Sequence, residues 1–341
     1  MVKRVSTPFE QFLSLYQKIP VEVYGNLSST PPLVTVCVQT YQHKSYIRKC
    51  LDQIIGQITS FSVEIQIGED NSDDGTREIC KEYADKYPGR IVVFLHHNKN
   101  KFPVEGRFVG RFNYVHNLYS ARGKYIACCD GDDYWIDPLK LQKQVDFLEN
   151  NSDYVVCGHD AIVVDENDVI ISEHKLKPKS RQDLSMHDLM IGKANIPALS
   201  MVFRNIFNNT SYEIPNEICV AINADYILAC ILGYFGEGGY KFLTTVEPAG
   251  YRLHADGIWS TKTNLHKMEM KINTQFQLYR FYRRMGSYTC AVALQKAIIL
   301  QMISGNMKYR KPTGKAVEFK LKMSYYVSRL GVLFSELSSK Q

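Results

Sequence analysis

Tyr125-Ile126-Ala127-Cys128-Cys129-Asp130-Gly131-Asp132-Asp133-Tyr134-Trp135 is an apolar run that ends in three carboxylates within four residues. That is the pattern of a buried strand delivering acids to the carboxyl edge of a sheet. Three such charges repel one another. A divalent cation relieves the repulsion, and hard oxygen ligands suit magnesium or manganese, which in turn carry phosphate oxygens of a bound nucleotide. Asp130, Asp132 and Asp133 are therefore candidates for metal or phosphate chemistry, with an acidic turn ahead of the next helix as the plainer alternative. Asp137-Pro138 reads as the cap and first-turn residue of that helix.

Upstream, the same pattern repeats. Leu33-Val34-Thr35-Val36-Cys37-Val38 is nearly continuous and β-branched, so it reads as a buried parallel strand, and it empties into Gln39-Thr40-Tyr41-Gln42. Ile47, Leu51, Ile54, Ile55 and Ile58 follow at helical spacing. Phe61, Val63, Ile65 and Ile67 alternate with polar residues up to Glu69-Asp70, the next helix runs about 77–87, and Ile91 to Leu95 makes a third strand. Arg111 to Ala121 reads as a helix before the quoted strand, and 138–150 as one after it. Strand and helix alternate, and each strand discharges polar residues at its end. Such alternation predicts an α/β fold with right-handed crossovers, a mostly parallel sheet flanked by helices, and a ligand in the crevice beyond the strand ends.

Beyond residue 150 the pattern changes. Ala161 to Val164 and Val169 to Ile171 frame a hairpin, 200–203, 242–246 and 250–254 read as further strands, 224–232 as a helix, and the chain from about 264 onward as helical. The expected organisation is an extension over 1–32, one domain over 33–260 and a helical C-terminal extension over 261–341. Within the domain, 33–135 is the nucleotide-binding half and 136–260 the acceptor half.

The 341 residues, 45% hydrophobic and 22% charged, supply ample core and exclude a disordered chain. A net charge of +6 spread along the sequence does not argue for nucleic acid. Nine cysteines without a CxxC pair sit mostly in apolar runs, which predicts reduced, buried thiols in a cytoplasmic setting. The first thirty residues lack a signal-peptide pattern, and no apolar run approaches the about 18 residues of a membrane span.

Asp70-Asn71-Ser72-Asp73-Asp74-Gly75-Thr76 resembles the start of a calcium-binding EF-hand loop, but its twelfth position is Lys81 and a strand precedes it. The better reading is a strand end where Asp70 accepts hydrogen bonds from a nucleoside, while Asp73 and Asp74 cap the following helix.

Three ordered motifs now stand on consecutive strand and helix units: 35–41, 69–76 and 123–135. Together they resemble the family 2 glycosyltransferases, which have the GT-A fold and mostly transfer a sugar from a nucleoside diphosphate donor with inversion. The resemblance covers about residues 33–150. It implies a Mn2+ or Mg2+ cofactor, a donor that is UDP-linked, and a glycan or lipid-linked acceptor. Thr40, Tyr41 and Asp70 would contact the nucleoside, with Arg111 and Asn113 approaching from the side. Asp130 would serve the donor ribose, and Asp132 and Asp133 the metal. Gln39 departs from the Pro common before the Thr, and Cys128-Cys129 is unusual in the strand; neither removes an oxygen ligand.

In the second half the resemblance points to Asp225 as the base that deprotonates the acceptor hydroxyl, and to His254 as a further metal or pyrophosphate contact. An acid stabilised by a helix dipole and a solvated histidine are the plainer accounts. Glu217 and Asp256 are the next acids to consider as base. The basic, aromatic stretch from Lys308 to Tyr326 is read either as a core-packing helix with a solvated face or as a peripheral contact with an anionic membrane. Two other functions remain in view. A nucleotidyltransferase calls for a glycine-rich loop after the first strand, and 39–44 has none; a noncatalytic nucleotide or sugar-binding module would not need every acid retained.

Overall fold

The structure, a computed structural model, describes residues 7–104, 107–208, 216–255, 257 and 263–308. α1 (Pro8–Tyr16) opens with a reciprocal cap: the Thr7 hydroxyl accepts from Glu10 N–H while the Glu10 carboxylate accepts from Thr7 N–H. β1 (Glu22–Tyr24) then leads into β2 (Val34–Thr40). Next come α2 (Ile47–Ile55), β3 (Val63–Glu69), α3 (Thr76–Lys86) and β4 (Ile91–Leu95). A two-stranded antiparallel pair, β5 (Phe102–Val104) and β6 (Arg107–Val109), precedes α4 (Arg111–Ser120) and β7 (Tyr125–Asp130).

The second half holds α5 (Lys140–Asn150), β8 (Tyr154–Gly158), β9 (Ala161–Val164), β10 (Ile170–Ser172), α6 (Met186–Met190) and β11 (Val202–Arg204). It continues with α7 (Asn216–Val220), α8 (Ala224–Phe235), β12 (Gly239–Phe242) and β13 (Ala249–Arg252). α9 (Asn264–Arg284) and α10 (Tyr288–Lys308) follow and pack on each other, with α9 also against α8.

Among the described residues the main sheet has eight strands in the order β1-β4-β3-β2-β7-β11-β8-β12. β4, β3, β2 and β7 are mutually parallel, as the alternating pattern predicts, and β2 meets β7 with Gln39 level with Asp130. Two strands run against this direction. β1 comes from the stretch before residue 33 and pairs antiparallel with β4, so the N-terminal extension supplies a sheet edge. β11 pairs antiparallel with both β7 and β8. The strand expected at 242–246 lies earlier, at β12, because Gly239 lets the backbone come close: a Cβ there would stand 2.6 Å from the Leu184 carbonyl oxygen. A small sheet, β10-β9-β13, contains the expected hairpin and is tied to the loop after β7 by a bridge between Tyr134 and Gly250.

The pleat sorts the two cores. Val34, Val36 and Val38 of β2 and Tyr125, Ala127 and Cys129 of β7 pack on the side of α2, α3 and α5. Cys37, Ile126 and Cys128 face the opposite side, where α1, α4, α8, α9 and α10 lie. All nine cysteines are free and buried. No helix among the described residues is long and apolar enough to cross a membrane.

Candidate active site

The alternation along β7 sets the orientation of Asp130. It continues the Ile126 and Cys128 face, so its carboxyl turns toward the layer where α8 begins. Gly131 then brings the chain against the end of β2: its N–H donates to the Gln39 carbonyl at 2.8 Å, and a Cβ there would sit 2.6 Å from the Thr40 hydroxyl.

Asp132 lies beyond the strand and meets two imidazoles. Its Oδ2 is 2.9 Å from His254 Nε2 and 3.9 Å from His43 Nε2. One ligating atom from each of His43, Asp132 and His254 falls within 4.8 Å of the others, and the same spacing holds for Asp130, Asp132 and Asp133. The charges are unequal. Burial, and then the Asp132 charge, push Asp130 and Asp133 well above the usual carboxylate range. For Asp132 burial also opposes ionisation, but the His254 hydrogen bond and the charges of His43 and His254 outweigh it and hold the group low. Burial keeps His43 below its ordinary value, and neutral imidazole is the form that binds metals.

Asp133 is held by β13. Its Oδ1 accepts from Arg252 N–H at 2.9 Å, and the buried Arg252 guanidinium donates to the Asp132 carbonyl at 2.9 Å and to Asp168 Oδ1 at 2.7 Å. The guanidinium carbon also stands 4.6 Å from the Tyr46 ring centre. Arg252 thus fixes the acid loop against the small sheet, which places His254, two residues further on, beside Asp132.

At the end of β3, Asp70 is buried, its Oδ2 3.4 Å from Lys101 Nζ, and Lys101 in turn lies 3.9 Å from the ring centre of the exposed Tyr41. Burial raises the Asp70 carboxyl to about 6 against the opposing pull of Lys101. Asp70 does not cap α3. Gly75 is the N-cap residue, and Asp74 before it accepts from the first helical N–H, that of Thr76, at 2.9 Å and from Lys44 N–H in the loop after β2 at 3.0 Å. Thr40 is buried, its hydroxyl 3.3 Å from His43 Nδ1. Thr40, Tyr41, Asp70 and Lys101 therefore form one end of the site.

Arg111 and Asn113 begin α4 and are turned to other partners. The Arg111 Nη2 donates to the carbonyls of Ala221 and Ile222 at 2.8 and 3.0 Å. Asn113 Nδ2 donates to the Gly68 carbonyl at 2.8 Å, inside the fold. What Arg111 faces is Asp225, in the first turn of α8. Burial raises the Asp225 carboxyl; the charges of Arg111 and Lys175 and the Tyr114 hydroxyl work against that rise. Glu217 is paired with Arg284 at 3.0 Å, and Asp256 lies outside the described residues. The basic stretch beyond residue 308 also lies outside them, as does most of the expected membrane contact.

Three residues of this site carried no local signal. His43 stands in a loop read only for its lack of glycine, Lys101 in a basic loop, and Lys175 in another. A histidine three residues past a strand end was the one available hint.

Residues 35–210 match the family model described as "Glycosyl transferase family 2". The chain is 36% identical over 222 residues to an uncharacterized protein of Mycobacterium tuberculosis, a match over 64% of this chain and 58% of that protein's length. It is 31% identical over 212 residues to an uncharacterized glycosyltransferase of Methanocaldococcus jannaschii, over 62% of this chain and 67% of the relative. Among solved structures, S. aureus TarS 1-349 in complex with UDP-GlcNAc aligns with a TM-score of 0.49 and 16% identity over 72% of this chain and 66% of that one. A mannosyltransferase from Pyrobaculum calidifontis in complex with GDP-Man and Mn2+ aligns at 0.48 and 13% over 94% and 88%.

Proposed function

Because the chain belongs to glycosyltransferase family 2 and has its GT-A fold, we propose that it moves a sugar from a nucleoside diphosphate donor to a hydroxyl of a glycan or lipid-linked acceptor, with inversion. The observation that carries this reading is the convergence of His43, Asp132 and His254 from three separate segments at the carboxyl edge of the sheet, with Asp70 at the end of β3 and Asp225 in the first turn of α8. Thr40, Tyr41, Asp70 and Lys101 would take the nucleoside, with uridine the preferred base. Asp130 would face the ribose and sugar.

The donor set fits a divalent cation. One carboxylate oxygen and two imidazole nitrogens suit manganese better than magnesium, which favours oxygen alone. Asp132, His43 and His254 would hold the ion, with Asp133 kept in place by Arg252, and a bound cation supplies charge neutralisation for the departing diphosphate. The protein's own work is to orient donor and acceptor and, through Asp225, to take the proton from the attacking hydroxyl. Thermal stabilisation by UDP, GDP and CDP, each with and without manganese, followed by transfer of labelled sugar from the matching donors, tests the proposal. Absence of stabilisation by any of them would overturn it.

Base recognition gives a sharper expectation. A carboxylate beside an ammonium reads a base edge with adjacent N–H and C=O, as in uracil; cytosine has a lone pair where the N–H is needed. UDP is expected to bind at least about tenfold more tightly than CDP, the cost of one unsatisfied buried acceptor. Asp70 is ionised above its value of about 6 and protonated below it, so UDP affinity should fall as pH drops through 6. Calorimetry across pH 5 to 8 checks both, with Asp70→Asn expected to flatten the profile.

A further inference from the structure

We propose that Lys175 is a further catalytic residue, an ammonium that binds the β-phosphoryl oxygen of the donor and receives the charge that develops there as the sugar departs; the inference rests on the glycosyltransferase reading above.

The backbone around Lys175 is built to hold it still. Buried Asp160 accepts from Ala161 N–H at 2.8 Å and from Leu176 N–H at 2.9 Å, and its other oxygen lies 3.0 Å from both Arg181 Nε and His174 Nδ1. Lys175 N–H itself donates to the Ala161 carbonyl at 2.7 Å. One carboxylate thus clamps the chain before and after the lysine. The ammonium sits 2.9 Å from the ring centre of Tyr251 on β13, so its position is set by the small sheet rather than by solvent.

Among the described residues no acid lies within ion-pair distance of Lys175. The charged groups that face it are Asp133 of the acid loop, Asp225 of α8, Lys267 of α9 and Asp160 beneath it. Tyr251, on which the ammonium rests, is flanked by Gly250, bridged to Tyr134 of the acid loop, and by Arg252, whose N–H binds Asp133, so Lys175 is tied to the motif that would hold the diphosphate. Burial brings the ammonium down to about 8, which leaves it charged at neutral pH but poorly solvated, and such a cation gains most from an incoming anion.

The step balances without another reactant. The bond between the anomeric carbon and the β-phosphate oxygen breaks, its electron pair stays on that oxygen, and Lys175 strengthens its hydrogen bond there while keeping its proton. The new bond forms to the acceptor oxygen, whose proton passes to Asp225.

The test compares diphosphate with monophosphate binding by calorimetry, using the full chain with manganese and the uridine or guanosine pair that the wild type binds. In Lys175→Met, which keeps contact with Tyr251, the monophosphate affinity should change less than about twofold and the diphosphate affinity should fall about tenfold or more, the loss of one charge-assisted hydrogen bond. Lys175→Arg should recover most of that loss. Lys175→Gln serves if the Met variant does not fold. An unchanged ratio of diphosphate to monophosphate affinity, whether both fall together or neither moves, would overturn the proposal. A wild type that binds neither nucleotide would instead refute the glycosyltransferase reading itself.

Discussion

Asp225→Asn should cut turnover by roughly a hundredfold or more while leaving donor affinity almost unchanged, general bases being worth about 10²–10⁴ in rate. Asparagine keeps the shape and hydrogen bonding of the side chain but cannot take a proton. The setting suits the role: the acid lies in the first turn of α8, where the helix dipole favours negative charge, and Arg111 and Lys175 oppose the rise that burial imposes. Burial keeps the acid from being solvated, and a carboxyl raised in this way is the stronger base once ionised. Arg111 donates to two carbonyl groups beside α8 and its charge opposes the rise of Asp225, so its loss is expected to alter turnover. NMR of the product linkage should show the anomeric configuration opposite to that of the donor. A retained configuration would reject single displacement, and normal turnover in the asparagine variant would move the base elsewhere.

Asp132→Asn is the second large effect. Asp132 is the carboxylate shared by both candidate ligand groups, and it alone of the three motif acids is held below the usual carboxylate range. Removing its charge should lower nucleoside diphosphate affinity in manganese by about a hundredfold, at the upper end of what disturbing a metal's surroundings costs. Without metal the same variant should be less stable than the wild type at neutral pH, since a carboxylate held low by the His254 hydrogen bond contributes stability that asparagine gives up. Calorimetry with and without EDTA, together with a melting curve of the metal-free protein, reads both. Equal affinity with and without EDTA in the wild type would contradict the metal role.

How much of this was legible in the sequence depends on where each signal is stored. β2, β3 and β7 announce themselves because each is a β-branched or apolar run that ends abruptly in polar residues, and that local contrast also exposes Asp70, Asp130 and Asp132. β11 has no such contrast: Val202–Arg204 is three residues long, and its antiparallel place between β7 and β8 is decided by pairing with distant strands. Lys175 was readable only as part of a basic loop, because what makes it special is the Asp160 clamp and the Tyr251 ring. Arg111 illustrates the opposite case. It stands where the family pattern suggests a nucleotide contact, yet burial turns it toward Ala221, Ile222 and Asp225.

The antiparallel insertion of β11 also bears on how the chain is made. The strand that carries the acids leaves the ribosome with only one neighbour available, β2, and its other edge stays open until β11 emerges roughly 75 residues later, a long-range pairing of the kind that slows folding. During that interval a nascent chain displays an unpaired apolar edge, which is an invitation to misassembly. A truncated protein ending near residue 150 would keep the motifs at 35–41, 69–76 and 123–135 and still lack the strand that seals β7. Such fragments should collect in inclusion bodies, so dissecting the donor half from the acceptor half by truncation would report on solubility rather than on chemistry.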